Sequence, residues 1–215
     1  MGRNLVSTGR IIKGDACVAE GAAWLANADP RFAAALELTG PLPLRLKPDG
    51  FPALLDAIVS QQVSVASATA IWGRLDKAGF TDEPAVRRAS DKDLRACGLS
   101  RPKVRYAKAL AEASIDYAGL RLQPNGDVAK ILTAVPGIGQ WSADIYLMFS
   151  LGRADVFASG DLALQEAARL LFDLPERPKD RELRQMAQSW SPWQSVAARL
   201  LWAYYKVQKS REGLR

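Results

Sequence analysis

The chain has 215 residues, 29 Lys and Arg against 23 Asp and Glu, a net charge of +6, and 48% hydrophobic residues. That apolar fraction builds one or two ordinary cores and excludes wholesale disorder, and no apolar run reaches the length of a bilayer span. Histidine is absent and only two cysteines occur, which excludes His triads and His metal sites, four-thiolate zinc or iron–sulfur centres, and a disulfide framework.

Alanine is abundant, at 35 residues, and apolar positions recur at helical rather than strand spacing. Helices are predicted over Asp15–Ala26 and Pro30–Leu38, stopped by Gly40-Pro41-Leu42-Pro43. An extended stretch near Leu42–Leu46 follows. Residues 52–77 carry Leu54, Leu55, Ile58, Val59, Val63, Val65 and Ile71, with an interruption at Ser60-Gln61-Gln62. A helix from about Arg101 to Tyr117 sets Val104, Ala107, Leu110, Ala111 and Ile115 near one face. Arg101, Lys103, Arg105 and Lys108 lie opposite, as a solvated face or a basic contact surface. Further helices are expected at Asp127–Ala134, Gln140–Leu151, Leu162–Phe172, Asp180–Ser189 and Trp193–Lys209. Pro124-Asn125-Gly126 and Pro175-Glu176-Arg177-Pro178 act as breakers. No internal repeat stands out. The reading is all-α, with two packed lobes.

Charge is uneven along the chain. Residues 1–100 carry 12 basic and 11 acidic groups, residues 101–215 carry 17 and 12. A basic second half suits an acidic partner such as nucleic acid. The N-terminus lacks the apolar core of a signal peptide, and a reduced, cytoplasmic setting is expected.

The most informative stretch is Ile131-Leu132-Thr133-Ala134-Val135-Pro136-Gly137-Ile138-Gly139-Gln140-Trp141-Ser142-Ala143-Asp144. It reads as a helix, a tight turn and a second, apolar helix. Gly137 and Gly139 permit positive φ and leave the backbone unshielded, so amides at a helix N-terminus can face a phosphate oxygen. Ile138 between them can anchor the turn in the core.

The pattern Leu-x-x-Val-Pro-Gly-Ile-Gly-x-x-Ser-Ala resembles the helix-hairpin-helix of DNA repair glycosylases. Four more stretches resemble the same family: Ala57–Ala66 around Gln61-Gln62, Gly98-Leu99-Ser100-Arg101-Pro102-Lys103, Asp155–Gln165, and Trp190-Ser191-Pro192-Trp193. The resemblance spans roughly residues 50–205 and is nearest to the DNA-3-methyladenine glycosylase II type, in its short all-helical form. It implies an all-α, two-lobed fold with the active cleft between the lobes. Residues 1–51 would pack with a C-terminal lobe of 151–215. Residues 52–150 would form the central lobe, with the hairpin at 127–151. By the same resemblance the extra β domain of some relatives is not expected ahead of this helical core, and Ala158 stands where many carry Pro.

By that resemblance Asp161 is the catalytic carboxylate. Taken alone, an Asp before the helix starting at Leu162 reads as its N-cap, and the two roles are compatible. In lyase-type relatives a lysine of the hairpin's second helix attacks the sugar. Trp141 stands there instead, which implies hydrolysis by water, without an iron–sulfur cluster. Trp141 and Trp193 are implied as base-pocket walls, with Trp190 and Tyr146 as further candidates. Trp24, Trp72 and Trp202 read as core. Amides of Gly137, Gly139 and Ser142 are assigned to phosphates, and Gln61 and Gln62 to the DNA-facing wedge, Gln62 as the plug for an extruded base. Carbonyls of Thr133, Val135 and Ile138 match positions that hold a structural Na+ or K+ in related hairpins. The expected activity is excision of alkylated purines, chiefly 3-methyladenine, from duplex DNA by a monomer. Alternatives are a DNA-binding module without catalysis and a glycosylase for oxidised or mismatched bases.

Overall fold

The computed structural model describes residues 8–212, in which thirteen α-helices and one 3-10 turn carry the regular structure. By contact the chain divides into two units. The first is residues 47–146 and the second joins 8–46 to 147–212. The boundaries therefore fall a few residues before 52 and 150, the second of them inside a helix. No described helix is long and apolar enough to cross a membrane.

In the first unit, α3 (Phe51–Ser60) and α4 (Val65–Lys77) come from the long apolar stretch. The break falls at Gln61–Ser64, where Gln62 takes a φ of 55° and Ser64 caps α4 by accepting from the Ser67 amide. Two short helices, α5 (Glu83–Arg88) and α6 (Asp91–Ala96), were not expected. Six residues are too few for an apolar period, and their signal is in the caps: Asp82 for α5 and a Ser90/Asp93 capping box for α6. The central helix α7 (Arg101–Glu112) packs on α3, α5 and α6 through Val104, Ala107, Leu110 and Ala111. It stops five residues before Tyr117, because Ser114 turns to φ 45° and Asp116 caps the single turn α8 (Tyr117–Leu120). Helix α9 (Asn125–Thr133) begins inside the Pro-Asn-Gly stretch, which starts a helix rather than breaking one. Helix α10 (Gln140–Phe149) follows the hairpin.

The cationic face of α7 is only partly solvated. Lys103 is buried, and its Nζ donates to the Val59 carbonyl at 2.7 Å, closing the C-terminal end of α3. Burial alone lowers its pKa. The Lys108 ammonium donates to the carbonyls of Arg87 (3.2 Å) and Ala89. Two of the four cations thus satisfy the orphan carbonyls of neighbouring helices.

In the second unit, α1 (Asp15–Ala28) and α2 (Pro30–Thr39) pack on each other and on the long α13 (Gln194–Glu212), which also receives α11 (Leu162–Leu171). Helix α12 (Asp180–Ala187) leads into the 3-10 turn Gln188–Trp190. Gly21 is where α1 meets α13, since a Cβ there would lie 2.6 Å from the Trp193 ring and 2.7 Å from Val196. The segment Leu42–Leu46 pairs with no strand. It is held by Arg199, which is fully buried and donates through Nε and Nη2 to the Leu44 carbonyl at 3.1 and 2.9 Å. A short antiparallel bridge joins Ile11 to Arg153, flanked by Ile12 N–H to Gly152 O at 2.7 Å and Ala154 N–H to Arg10 O at 2.9 Å. Gly152 has φ 68°, and any Cβ there would meet the Ile12 carbonyl. That bridge fixes the chain just ahead of Asp161.

Candidate active site and nucleic-acid interface

The hairpin between α9 and α10 is built from one glycine conformation and one anchor. Gly137 has φ 90°, and a Cβ on it would collide with the Tyr106 ring beneath. Gly139 needs no positive φ and has open space around its Cα, so it leaves the backbone bare rather than bending it. Ile138 is buried, and its amide closes the turn on the Val135 carbonyl at 3.0 Å. The first amide of the α10 ladder is that of Ala143, bonded to Gly139 O at 3.1 Å, so the helix N-terminus opens at Gly139–Ser142. Gly139 and Trp141 are exposed there, the indole by 43%, whereas the Ser142 side chain is buried. Gln140 reaches over the first turn to the buried Asp144, Nε2 to Oδ1 at 2.8 Å.

Gln61, assigned with Gln62 to the DNA-facing wedge, is half-buried. Its Nε2 donates to the Gly137 carbonyl at 2.8 Å and ties the α3–α4 turn to the hairpin. Gln62 is exposed beside it, with Val63 and Val65 also exposed. The turn is therefore braced at Gln61 and presents Gln62 and the two valines. Of the carbonyls matched to a monovalent cation, that of Val135 already accepts from Ile138, which leaves it one lone pair for an ion. Thr133 uses its hydroxyl to bond the Ala129 carbonyl at 2.8 Å and keeps its own carbonyl at the end of α9.

Asp161 ends a buried run, Val156 to Ser159, in the second unit. A turn from the Ala158 carbonyl to its amide (3.0 Å) sets its backbone, and Gln165 Nε2 pins the Ser159 carbonyl at 2.9 Å. Its side chain does cap α11: Oδ1 accepts from the amides of Ala163 (2.9 Å) and Leu164 (3.0 Å). The same oxygen accepts from the Trp202 indole Nε1 at 3.2 Å. Trp202 is only half buried and is not core filling. Its ring lies on Phe149, with centroids 5.9 Å apart, and the Arg199 guanidinium sits 4.7 Å from the Phe149 ring. A buried arginine, a phenyl ring and an indole thus stand in series behind the carboxylate. Burial first, and Arg45 second, lower the Arg199 pKa to about 10, so it remains a cation at neutral pH.

The other tryptophans fall differently from expectation. Trp193 is 2% exposed, covered by Gly21 and Val196, with the Arg10 guanidinium 4.5 Å from its ring. Trp190 is also buried. It stacks on Phe172 at 5.7 Å and meets Phe32 and Phe157 edge-on at 5.5 and 5.2 Å. Neither presents an open face for a base, because each plane is already occupied by protein. Tyr146 is buried too; its hydroxyl accepts from the Gly50 amide at 3.0 Å, and burial pushes its pKa up to about 12. Trp24, read as core, is 37% exposed, and Trp72 is half buried. Trp141 is the candidate wall that offers an accessible ring.

Residues 55–192 match the model of the HhH-GPD superfamily base excision DNA repair protein, and the chain belongs to that superfamily. It is 31% identical over 173 residues to DNA-3-methyladenine glycosylase 1 of Schizosaccharomyces pombe, covering 75% of each chain. It is 28% identical to DNA-3-methyladenine glycosylase 2 of Escherichia coli, spanning 57% of that protein. Among solved structures, a DNA-3-methyladenine glycosidase from Bacillus halodurans superposes with a TM-score of 0.80 at 32% identity, over 94% of both chains. The S. pombe 3-methyladenine DNA glycosylase in complex with abasic DNA superposes with a TM-score of 0.74 at 29% identity, over 85% of this chain and 95% of that one.

Proposed function

We propose that the protein is a monofunctional DNA glycosylase that hydrolyses the N-glycosidic bond of alkylated purines, 3-methyladenine among them, in duplex DNA. The observation that carries this reading is the Asp161 carboxylate, fixed by three N–H donors at the head of α11 within a chain of the HhH-GPD superfamily. The names of its relatives support the substrate class.

Breaking the glycosidic bond builds positive charge on the deoxyribose. A carboxylate held in one rotamer stabilises that charge without reorganising, and orients the water that attacks the sugar. A purine alkylated on a ring nitrogen is already cationic, so it leaves without a strong general acid. This suits a site whose described carboxylate stands with no histidine anywhere in the chain. The exposed Trp141 ring offers π-stacking and cation–π attraction to such a base. Where a lyase would hold its amine, this indole holds none, so no Schiff base forms. The hairpin amides and the turn at Gln62 serve the backbone and the gap left by the extruded base. The enzyme acts as a monomer and without an iron–sulfur cluster, for which two cysteines are too few.

Asp161→Asn is the direct test, because Asn caps a helix nearly as well as Asp and the fold is kept. With methylated duplex DNA, release of free base should fall by about 10²–10⁴-fold, the usual contribution of such a group, while abasic DNA is still bound. Base release at the wild-type rate would instead identify the hairpin protein as a binding module that uses Asp161 only as a cap. Borohydride should trap no covalent adduct.

A further inference from the structure

We propose that Gln61 is a positioning residue that locks the exposed turn between α3 and α4 to the hairpin, so that one rigid body carries both the grip on the DNA backbone and the displacement of a base. This rests on the glycosylase reading above and deepens it, since that reading gives the hairpin the backbone and the turn at Gln62 the gap left by the extruded base.

Three elements of the first unit close on one another. At the turn, the Gln61 side chain donates from Nε2 to the Gly137 carbonyl at 2.8 Å. At the hairpin, Gly137 lies so near α7 that a Cβ on it would come within 2.3 Å of the Tyr106 ring. On α7, Tyr106 stands three residues after Lys103, which makes the two side chains neighbours on the helix surface. Lys103 in turn donates to the Val59 carbonyl at 2.7 Å, two residues before Gln61. The circuit runs from turn to hairpin to α7 and back to the end of α3. Such a triangle cannot shear without breaking a side, and the Gln61 bond is the side that joins turn and hairpin.

The turn is of a kind that needs a brace. Gln62 holds a φ of 55°, a left-handed conformation that residues other than glycine rarely adopt and that persists where the surroundings impose it. Ser64 bonds locally, accepting from the Ser67 amide at 3.2 Å, and so fixes the start of α4 rather than reaching across to the hairpin. Val63 and Val65 are exposed on either side of it, Val65 by 84%. Two exposed valines beside an exposed glutamine give the turn an apolar tip, which suits a wedge between stacked bases. Parting bases costs free energy, and a tip on a yielding turn bends back instead of entering the stack. With Gln61 in place the load passes through the Gly137 carbonyl to the hairpin, whose open amides at Gly139–Ser142 hold the strand.

The test separates gripping from extrusion. Gln61→Leu and Gln61→Met keep an uncharged side chain of similar bulk and remove the donor. The probe is duplex DNA in which 2-aminopurine neighbours the methylated base and brightens when that base leaves the stack. Affinity for undamaged duplex should stay within about twofold of wild type, because the backbone contacts are untouched. The extrusion equilibrium read from the brightening, and base release at saturating DNA, should both fall about five- to tenfold, the scale of one hydrogen bond. In a Gln62→Ala/Val65→Ala background the further loss from Gln61→Leu should be under about twofold, since Gln61 acts through the tip. Equal losses in both backgrounds would overturn the positioning role, as would unchanged release and brightening in the single variants. A fall in undamaged-duplex affinity in proportion to the rate would also overturn it, placing Gln61 in the grip itself. Assays run well below the lowest thermal midpoint of the variants keep folding out of the comparison. Base release by the wild type, with no effect of either Gln61 variant, would sink this inference and leave the glycosylase reading; brightening by the wild type without base release, and weaker in the variants, would do the reverse.

Discussion

At the scale of single residues, the carboxylate is fixed by partners of two kinds. The backbone amides of α11 come with the capping position, whereas the indole N–H of Trp202 is supplied from 41 residues away. Replacing Trp202 by Phe keeps an aromatic ring on Phe149 and removes only the donor. Hydrogen bonds to charged groups contribute about 1.5–3 kcal/mol. Base release at saturating DNA should therefore drop by roughly 10–100-fold, with abasic-DNA affinity held within about threefold; an unchanged rate would show that the Trp202 bond is not needed to orient Asp161. The cap itself was legible, because Asp-Leu-Ala-Leu before an amphipathic run is a local signal. The Trp202 contact was not, since no spacing rule links an indole in α13 to a residue before α11. Residue type also failed to sort pocket from core: Trp190 and Trp193 have the chemistry of a base wall, but small neighbours such as Gly21 let protein close over them.

At the scale of elements, the two hairpin glycines divide their labour. The turn was legible from Pro-Gly-Ile-Gly, but not the partition, which depends on Tyr106 from α7 lying beneath Gly137. Gly137→Ala meets both a φ of 90° and that ring, and should cost about 2 kcal/mol or more, combining strain with a local clash. Gly139→Ala enters open space and should cost under about 1 kcal/mol. Denaturant unfolding of the two variants measures the difference, and equal losses would contradict it. The long helices were readable from their apolar period. The short α5 and α6 were not, because their identity lies in caps. Lys103 shows the same limit: its place on a charged face concealed that it closes the end of α3.

For the whole molecule, the missing histidine has a consequence for pH. The shifted groups move away from neutrality or start far from it. Hydrogen bonds and neighbouring cations hold Asp29, Asp93 and Glu166 low. Burial pushes Cys97 up, Tyr146 to about 12 and Tyr117 further still. The lowered carboxylates contribute stability above their unfolded pKa values, near 4, and lose it as pH falls through the folded ones. The raised tyrosines contribute below about 10 and lose it as pH climbs toward 12. Stability and base release should both be level between about pH 6 and 8, varying by less than about twofold in rate. A steep rise or fall in rate inside that window would contradict the expectation and point to a titrating group in the reaction itself.

The division of the chain also sets an order of assembly. Residues 47–146 are continuous and can fold as soon as they leave the ribosome. The other unit joins 8–46 to 147–212, so its first helices are made early and wait for more than a hundred residues until α13 exists. The bridge between Ile11 and Arg153 and the seat of Trp193 against Gly21 close only then. The Trp202 donor reaches Asp161 only with α13, so a chain cut between α10 and α13 keeps the hairpin and lacks the finished carboxylate site. On the proposed function, such truncated copies should release no methylated base, so the completing step of the site lies in the nineteen residues of α13.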